Sequence, residues 1–259
     1  MSSDKRPVRS VFASVSRHLA VPDNVRLRRE HFGGIAFNTL TGAIIEADRE
    51  AMAMLQHIRE AGPVREDDLS ASFAKHNRRV HQVIEHLVDM GILAVVPPTS
   101  EASSIRIDSE RLSEHWPKGP QLTAPETVHW ALTYRCDSHC PDCYARRHGS
   151  RFASELDTEN ALRVVDMLAQ WGVFQLAIGG GEPLLRPDLA TICDHAKWHG
   201  FVVHVTTGYH EVTREVLQYL AGSISVLQVG VNHEKLLADP RIESDKLSET
   251  VRNVRDMGI

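Results

Sequence analysis

The sequence predicts an α/β protein in which a small α+β domain precedes a larger domain built on a parallel sheet. Between residues 25 and 96, three short strands come before three helices and one final strand. From Thr127 onward, strand and helix patterns alternate four times, which is typical of right-handed βαβ units. A stretch rich in proline and serine, residues 97–104, separates the two patterns.

The composition is ordinary for a soluble globular protein. The chain has 259 residues, of which 42% are hydrophobic and 24% charged, and its net charge is −5. That charge argues against a nucleic-acid partner held by an overall basic surface. No apolar run reaches about eighteen residues, so no membrane span is predicted, and the first residues lack the apolar segment of a signal peptide. Four cysteines, three of them clustered, do not indicate a disulfide framework, and the predicted compartment is a reducing cytoplasm.

The first domain is predicted from local periodicity. Residues 1–21 show little pattern and are predicted to be a flexible arm, and the domain itself is placed at 22–97. Turns are predicted at Phe32-Gly33-Gly34 and Thr41-Gly42. The predicted strands are Val25–Arg28, Ile35–Phe37, Ala43–Ala47 and Ile92–Val96. The first predicted helix is capped by Asp48 and runs to Ala61, and the other two run from Asp67 to Ala74 and from Val80 to a stop at Gly91. This order of elements predicts a winged-helix domain.

Three segments of this domain resemble the PqqD-like peptide-recognition element: Val25–Arg29, His31–Phe37 and His86–Leu93. The resemblance implies that the leader of a precursor peptide adds as an extra strand at Ala43–Ala47, against the helix Val80–Leu87. An edge strand can support such binding because its backbone groups are unpaired. A DNA-binding winged helix and a purely structural cap are the alternatives.

The second domain is placed at 125–259, after a linker at 98–124. Its predicted strands are Val128–Thr133, Phe174–Ile178, Phe201–Val205 and Ser225–Val231. The predicted helices are Thr158–Trp171, Pro187–His199, Thr213–Leu220 and Leu247–Met257. Glycine-rich, polar and cysteine-bearing segments follow the strands directly, at the edge where parallel α/β folds build their sites.

Three cysteines follow the first of these strands at the spacing C-x3-C-x2-C: Cys136, Cys140 and Cys143. Closely spaced thiolates typically hold iron–sulfur clusters, and a [4Fe–4S] cluster held by only these three would have one iron open to another ligand. A zinc site that adds His139 or His148 and a redox pair of Cys140 and Cys143 are the alternatives. Cys193, on a predicted helix, is interpreted as a buried apolar residue.

The cysteine motif, together with Gly180-Gly181-Glu182-Pro183 after the second strand, resembles the radical S-adenosylmethionine (SAM) superfamily over residues 125–259. The resemblance implies a partial (β/α)6 barrel with about four units present, a [4Fe–4S] cluster on the three cysteines, and SAM chelated to the open iron. Gly180 and Gly181 are expected to let the backbone approach the ligand closely, and Glu182 to lie near the SAM amino group. The remaining expected SAM contacts are Thr206, Thr207 and Asn232.

The chain departs from that family in two respects. Asp142 stands where many members have an aromatic residue, and Tyr144 follows the third cysteine instead. Only four of the usual six strand–helix units are visible, which predicts an exposed fourth strand and a chain that is unstable or inactive alone, or a piece of a longer protein. Three aromatic residues on the strands, His129, Trp130 and His204, are interpreted as packing residues.

A peptide-recognition domain joined to a radical SAM core predicts an enzyme that abstracts hydrogen from a ribosomally made precursor peptide and thereby matures it. Cross-linking, epimerisation and backbone excision all begin with that abstraction. The implied partners are the precursor peptide and an electron donor. The alternatives are a radical SAM enzyme acting on a small molecule and a truncated, non-catalytic peptide-binding protein.

Overall fold

The chain forms two compact units, Met1–Pro117 and Lys118–Ile259, and their division falls inside the predicted linker. The computed structural model describes residues 16–73, 80–98, 116–138, 140, 143, 154–208, 212–231, 237 and 240–256. Within those residues, no helix combines the length and the apolar character that a membrane span requires. Trp116 packs in the first unit, where the guanidinium groups of Arg29 and Arg49 lie 5.3 and 5.6 Å from its ring centre.

In its described residues, the first unit contains two three-stranded antiparallel sheets and three helices. One sheet has the order β2-β3-β4 and the other β5-β1-β6. The strands are β1 (His18–Ala20), β2 (Val25–Glu30), β3 (Gly33–Asn38), β4 (Ile44–Asp48), β5 (Val64–Arg65) and β6 (Ala94–Val96). The helices are α1 (Arg49–Ala61), α2 (Glu66–Phe73) and α3 (Val80–Asp89). Asp48 caps α1 as predicted, because its side chain accepts a hydrogen bond from the amide of Ala51.

Two predictions for this unit are wrong in detail. The predicted flexible arm contains β1, whose Leu19 is fully buried and which pairs with both β5 and β6. The predicted turn at Phe32-Gly33-Gly34 lies one residue earlier, at His31 and Phe32, and both glycines belong to β3. Every residue of β3 is buried, which explains why small residues begin this strand.

The second unit contains a four-stranded parallel sheet of order β10-β9-β8-β7. Its strands are β7 (Thr127–Thr133), β8 (Gln175–Gly180), β9 (Val202–Gly208) and β10 (Val226–Gly230). The helices among its described residues are α4 (Thr158–Trp171), α5 (Leu189–Trp198), α6 (Arg214–Leu220) and α7 (Pro240–Asp256), with a short 3-10 turn at Pro183–Leu185. The four βα units therefore confirm the predicted architecture, although α7 begins seven residues earlier than predicted.

The core of this unit lies between the sheet and its helices. Alternate strand residues, including Leu176, Ile178, Val203 and Val205, pack in one buried cluster with Val165, Leu168 and Ile192 from α4 and α5. Cys193 belongs to that cluster and is fully buried, and burial raises the pKa of its thiol to about 12. It is therefore an apolar core residue, as predicted. This packing fixes the carboxyl ends of β7, β8 and β9, which carry the candidate site.

Candidate functional site

The cysteine loop begins directly after β7. Cys136 is exposed, Cys140 and Cys143 are partly buried, and none of the three forms a disulfide. The amide of Cys143 lies 3.3 Å from the carbonyl oxygen of Cys140, to which it donates a hydrogen bond. Three free thiols on one loop fit the donor set of a cluster with one open iron. His139 and His148, the nitrogen ligands of the zinc alternative, lie outside the described residues, as do Asp142 and Tyr144.

The segment after β8 docks onto the start of the cysteine loop. The amide of Gly181 donates to the carbonyl of Thr133 at 2.7 Å, and the amide of Glu182 donates to that of Arg135 at 2.8 Å. The two motifs, forty residues apart in sequence, are thus joined through their backbones. A register shift between β7 and β8, at Ala131 and Thr133, accompanies this docking.

Gly180 and Gly181 have to be glycine because of this docking. Gly180 has a φ of +119°, and a Cβ there would lie 2.2 Å from the carbonyl oxygen of Thr133. A Cβ on Gly181 would lie 2.2 Å from the carbonyl oxygen of Arg135. We predicted these glycines from an approach to the ligand, but the close contact in the structure is with the backbone that leads into the cysteine loop.

Glu182 is held at the centre of the site by three hydrogen-bond donors. Its side chain is only 3% exposed. The amide of Leu184 and the hydroxyl of Thr207 donate to Oε1 at 3.0 and 2.7 Å, and the amide of Gly208 donates to Oε2 at 3.0 Å. A buried carboxylate needs such partners to offset its lost hydration. Its orientation is therefore fixed by β9 as well as by its own loop.

Thr206 and Thr207 differ in their surroundings, although both were predicted to contact SAM. Thr207 is 3% exposed and directs its hydroxyl to Glu182, so it positions that carboxylate. Thr206 is exposed on the opposite face of β9 and lies 3.4 Å from the side-chain oxygen of Gln228. Successive strand residues point to opposite faces, which separates their roles. Asn232 lies outside the described residues.

The charges around Cys136 bear on metal binding. Partial burial raises the pKa of the Cys136 thiol above its ordinary value, and the negative charge of Glu182 adds to the rise. The thiol therefore keeps its proton at neutral pH until a metal displaces it, since the thiolate is the form that ligates.

Sequence reasoning missed the residues that brace the cysteine loop. Arg186 is 5% exposed and forms a bidentate pair with Asp188, with Nε–Oδ1 and Nη2–Oδ2 distances of 2.8 and 2.6 Å. Its Nη1 also donates to the carbonyls of Leu132 and Leu156, at either end of the segment that carries the cysteines. The Arg-Pro-Asp sequence after the glycine motif contains the charged pair, but nothing in the sequence indicates its contacts with the two carbonyls.

Glu155 holds the same segment from the other side. It accepts a short hydrogen bond from the Thr133 hydroxyl and pairs with Arg135, whose Nη2 lies 3.4 Å from its Oε2. Burial alone would raise the pKa of Glu155, but the Thr133 hydrogen bond and the Arg135 charge outweigh it, and the pKa is lowered. The loop is thus anchored at both of its ends by charged groups.

Replacing Asp188 by asparagine is expected to lower the free energy of unfolding by about 2 kcal/mol at neutral pH. The pKa of Asp188 is lowered from 3.8 to about 2, and the largest cause is its hydrogen bond with Arg186. A lowered folded-state pKa stabilises the protein above pH 4, and the gain is lost as the pH falls from 4 towards 2. Chemical denaturation at pH 7 and pH 3 measures the difference. The control is Glu159→Gln, which removes an exposed pair with Arg163 and should change stability by less than about 1 kcal/mol.

Comparisons with known proteins agree with this geometry. The Radical SAM superfamily matches residues 130–259. The mycofactocin maturase MftC of Mycobacterium tuberculosis is 37% identical over 113 residues, or 44% of this chain and 28% of that protein. The Fe-coproporphyrin III synthase of Methanosarcina barkeri is 31% identical over 51% of this chain and 33% of that protein. The PqqA peptide cyclase of Streptomyces rochei is 35% identical over 47% of this chain and 32% of that protein.

A solved structure shares the fold over more of the chain. The crystal structure of Streptococcus suis SuiB bound to S-adenosylmethionine aligns with a TM-score of 0.55 at 19% identity, over 80% of this chain and 46% of that chain. The chain spans about a third of the length of the curated relatives it matches. The family match covers half of the chain and includes the cysteine and glycine–glutamate motifs, and the chain belongs to the radical SAM superfamily.

Proposed function

We propose that this chain carries the radical-forming site of an enzyme that matures a ribosomally made peptide in a reducing cytoplasm. The observation that carries the proposal is the docking of Gly181 and Glu182 onto the start of the cysteine loop. That docking brings together two motifs that would hold the two components of the reaction, a [4Fe–4S] cluster and SAM. An electron donor is the further partner that such a site requires.

Each residue of the site has a distinct part. Cys136, Cys140 and Cys143 would hold the cluster and leave one iron open for the amino and carboxylate groups of SAM. When bound and reduced, the cluster and SAM together supply a carbon-centred radical that removes a hydrogen atom from the substrate. Glu182 accepts three hydrogen bonds, and a carboxylate has about four acceptor positions, so one is left for the SAM amino group. Thr207 and Gly208 hold Glu182 in the orientation that this contact needs.

Replacing Thr207 by valine is expected to weaken SAM binding about tenfold, because Glu182 loses the hydrogen bond at 2.7 Å that orients it. The matched control is Thr206→Val on the neighbouring, exposed position, which should change the dissociation constant less than twofold. Equilibrium dialysis of anaerobically reconstituted protein with labelled SAM measures both. A larger effect at Thr206 than at Thr207 would reverse the assigned roles.

The first unit supports a peptide as the substrate. In the described part of the unit, β4 pairs with β3 alone, and a peptide could add as a strand at its other edge. Ile45 of β4 and Val83 of α3 both pack against the same apolar cluster, so a strand added to β4 would lie near α3. The alignment with the SuiB structure covers 80% of the chain, which is a larger share than the second unit, so it extends into the first unit. The relative named PqqA peptide cyclase acts, by its name, on a peptide.

The register of β4 identifies the backbone groups that a leader peptide would use. The amide of Asn38 donates to the carbonyl of Ala43 at 2.8 Å, so Ala43 and, by strand alternation, Ile45 direct their backbone groups towards β3. Ile44 and Glu46 consequently direct theirs towards the free edge. Glu46→Pro removes one outward amide without touching the β3 pairing.

Glu46→Pro is expected to weaken leader binding at least tenfold, because the added strand loses a backbone hydrogen bond and meets the proline ring. Glu46→Ala keeps the amide and should bind within about twofold of the unchanged protein. Fluorescence anisotropy of a labelled candidate leader peptide measures both. Equal binding by the two variants would contradict docking on this edge, and binding of duplex DNA instead of the peptide would favour the winged-helix DNA-binding alternative.

The second candidate function is catalysis on a small molecule, which the match to an Fe-coproporphyrin III synthase favours. Anaerobically reconstituted protein with SAM and dithionite separates the two candidates. We expect 5′-deoxyadenosine to form faster with a candidate precursor peptide than with its leaderless form or with a porphyrin, and the mass of the peptide to change or its chirality to invert. Stimulation by the porphyrin alone would overturn the proposal.

A further inference from the structure

Two helices of the second unit bring a carboxylate and two imidazoles together. His195 and His199 are four residues apart at the end of α5, so their side chains share one face of that helix. Asp166 of α4 lies opposite. Its Oδ1 is 2.6 Å from Nε2 of His195 and 2.7 Å from Nε2 of His199. One oxygen thus lies within reach of two ring nitrogens, and we call these three residues the Asp166 cluster.

The Asp166 cluster lies away from the radical SAM site. α5 ends at Trp198, four residues before β9 begins, whereas the cysteine loop follows the end of β7. Because the strands are parallel, the start of β9 lies at the amino end of the sheet and the end of β7 lies at its carboxyl end. The three side chains are 23–42% exposed, so an ion could reach them from solvent. The hydrogen bonds described above for Glu182 and the cysteine loop do not involve these three residues.

We propose that the Asp166 cluster is a site for a divalent transition-metal ion, with Zn²⁺ as the best match. Two imidazole nitrogens and one carboxylate oxygen are ligands that this ion takes, and three protein ligands leave a fourth position for water. The three ligand atoms lie within 4.8 Å of one another. Atoms bound to a tetrahedral Zn²⁺ lie about 3.3 Å apart, so small movements of the half-exposed Asp166 side chain open the required space.

A bound ion would link α4 to α5. These helices pack on the same face of the sheet. Along the chain, α5 lies between the loop that carries Glu182 and β9, and β9 carries Thr207 and Gly208. Binding requires imidazoles without a proton on the coordinating nitrogen, so the affinity should fall at acidic pH. When an ion binds, bonds from the three side chains to the metal replace the hydrogen bonds between the imidazoles and Asp166.

The same arrangement could instead be a hydrogen-bonded link between the helices, and one substitution separates the two roles. Asp166→Asn keeps an oxygen that accepts hydrogen bonds from both imidazoles but removes the negatively charged ligand. A hydrogen-bonded link would largely survive this change, whereas a metal site would not. Lys197→Ala, at an exposed position of α5 between the two histidines, is the matched control.

Isothermal titration of the reconstituted protein with ZnCl₂ tests the proposal. We expect one equivalent to bind at this site with Lys197→Ala unchanged, a loss of at least tenfold in affinity for Asp166→Asn, and no binding of that equivalent by His195→Ala. Zinc should also raise the melting temperature of the unchanged protein but not that of His195→Ala. An unchanged number and affinity of bound ions in His195→Ala would overturn the proposal.

Trp198 supplies a second readout. Its ring is 78% exposed and lies 6.0 Å from the ring of His195 and 4.7 Å from that of His199. Cu²⁺ in the Asp166 cluster should therefore quench its fluorescence, and both Trp198→Phe and His195→Ala should lose this part of the quenching. Trp198→Phe should still bind Zn²⁺ in the calorimeter. Equal quenching in all three proteins would contradict a metal at this place.

Discussion

Replacing Cys136, Cys140 or Cys143 by alanine is expected to abolish the iron–sulfur cluster. Each substitution removes one of the three thiols that the loop after β7 presents, and a cluster with two cysteine ligands loses its anchor on the protein. Iron and sulfide analysis after anaerobic reconstitution, together with the brown visible absorption, measures the effect. We expect about four irons per chain in the unchanged protein and close to none in each variant.

Cys193→Ala is the control for these substitutions. Cys193 is fully buried among the apolar residues between the sheet and α5. Burial raises the pKa of its thiol to about 12, so it supplies no thiolate at neutral pH. This variant should keep the full iron content with a modest loss of stability from the small cavity. Loss of the cluster in Cys193→Ala, or retention of full iron in Cys140→Ala, would contradict the assignment of ligands.

Gly181→Ala is expected to lower the free energy of unfolding by about 2–4 kcal/mol and to prevent cluster assembly. The added methyl group would lie 2.2 Å from the carbonyl oxygen of Arg135. The segment would have to move away, breaking the hydrogen bonds that Gly181 and Glu182 donate to the start of the cysteine loop. Thermal denaturation and iron content after reconstitution measure the two consequences.

Gly179→Ala, two positions earlier, tests whether the effect is specific. A Cβ at Gly179 would lie 3.9 Å from the Cβ of Thr206, an ordinary contact, and the residue is part of β8. This variant should keep its cluster, with a change in stability within about 1 kcal/mol. Equal behaviour of the two alanine variants would mean that the docking of the two loops does not build the site.

Much of the second unit could be predicted because its elements carry strong local signals. The helix α4 was predicted with its observed bounds, since Asp157 caps its start and Gly172 ends it. The strands β1 and β5 were missed, because three and two residues are too short to show a period and their partners lie far along the chain. Short strands depend on tertiary pairing more than on local sequence.

The sequence predicted which residues form the candidate site, but not how most of them contact one another. The spacing of the cysteines and the glycine–glutamate motif identified the two loops, but not that one is hydrogen-bonded to the other. The roles of Thr206 and Thr207 could have been separated from sequence, because neighbouring strand residues face opposite sides. The support from Arg186 and Asp188 could not, because it depends on carbonyl groups of Leu132 and Leu156 that carry no side-chain signal.

The proposed function depends on the binding of SAM to the open iron of a reduced cluster. Electron paramagnetic resonance of the reconstituted, dithionite-reduced protein with and without SAM measures it directly, because a ligand on one iron changes the spectrum of the whole cluster. We expect SAM to shift the spectrum of the unchanged protein and of Thr206→Val at the same concentration, and Thr207→Val to need about tenfold more. A cluster spectrum that SAM leaves unchanged at every concentration would contradict the proposed function.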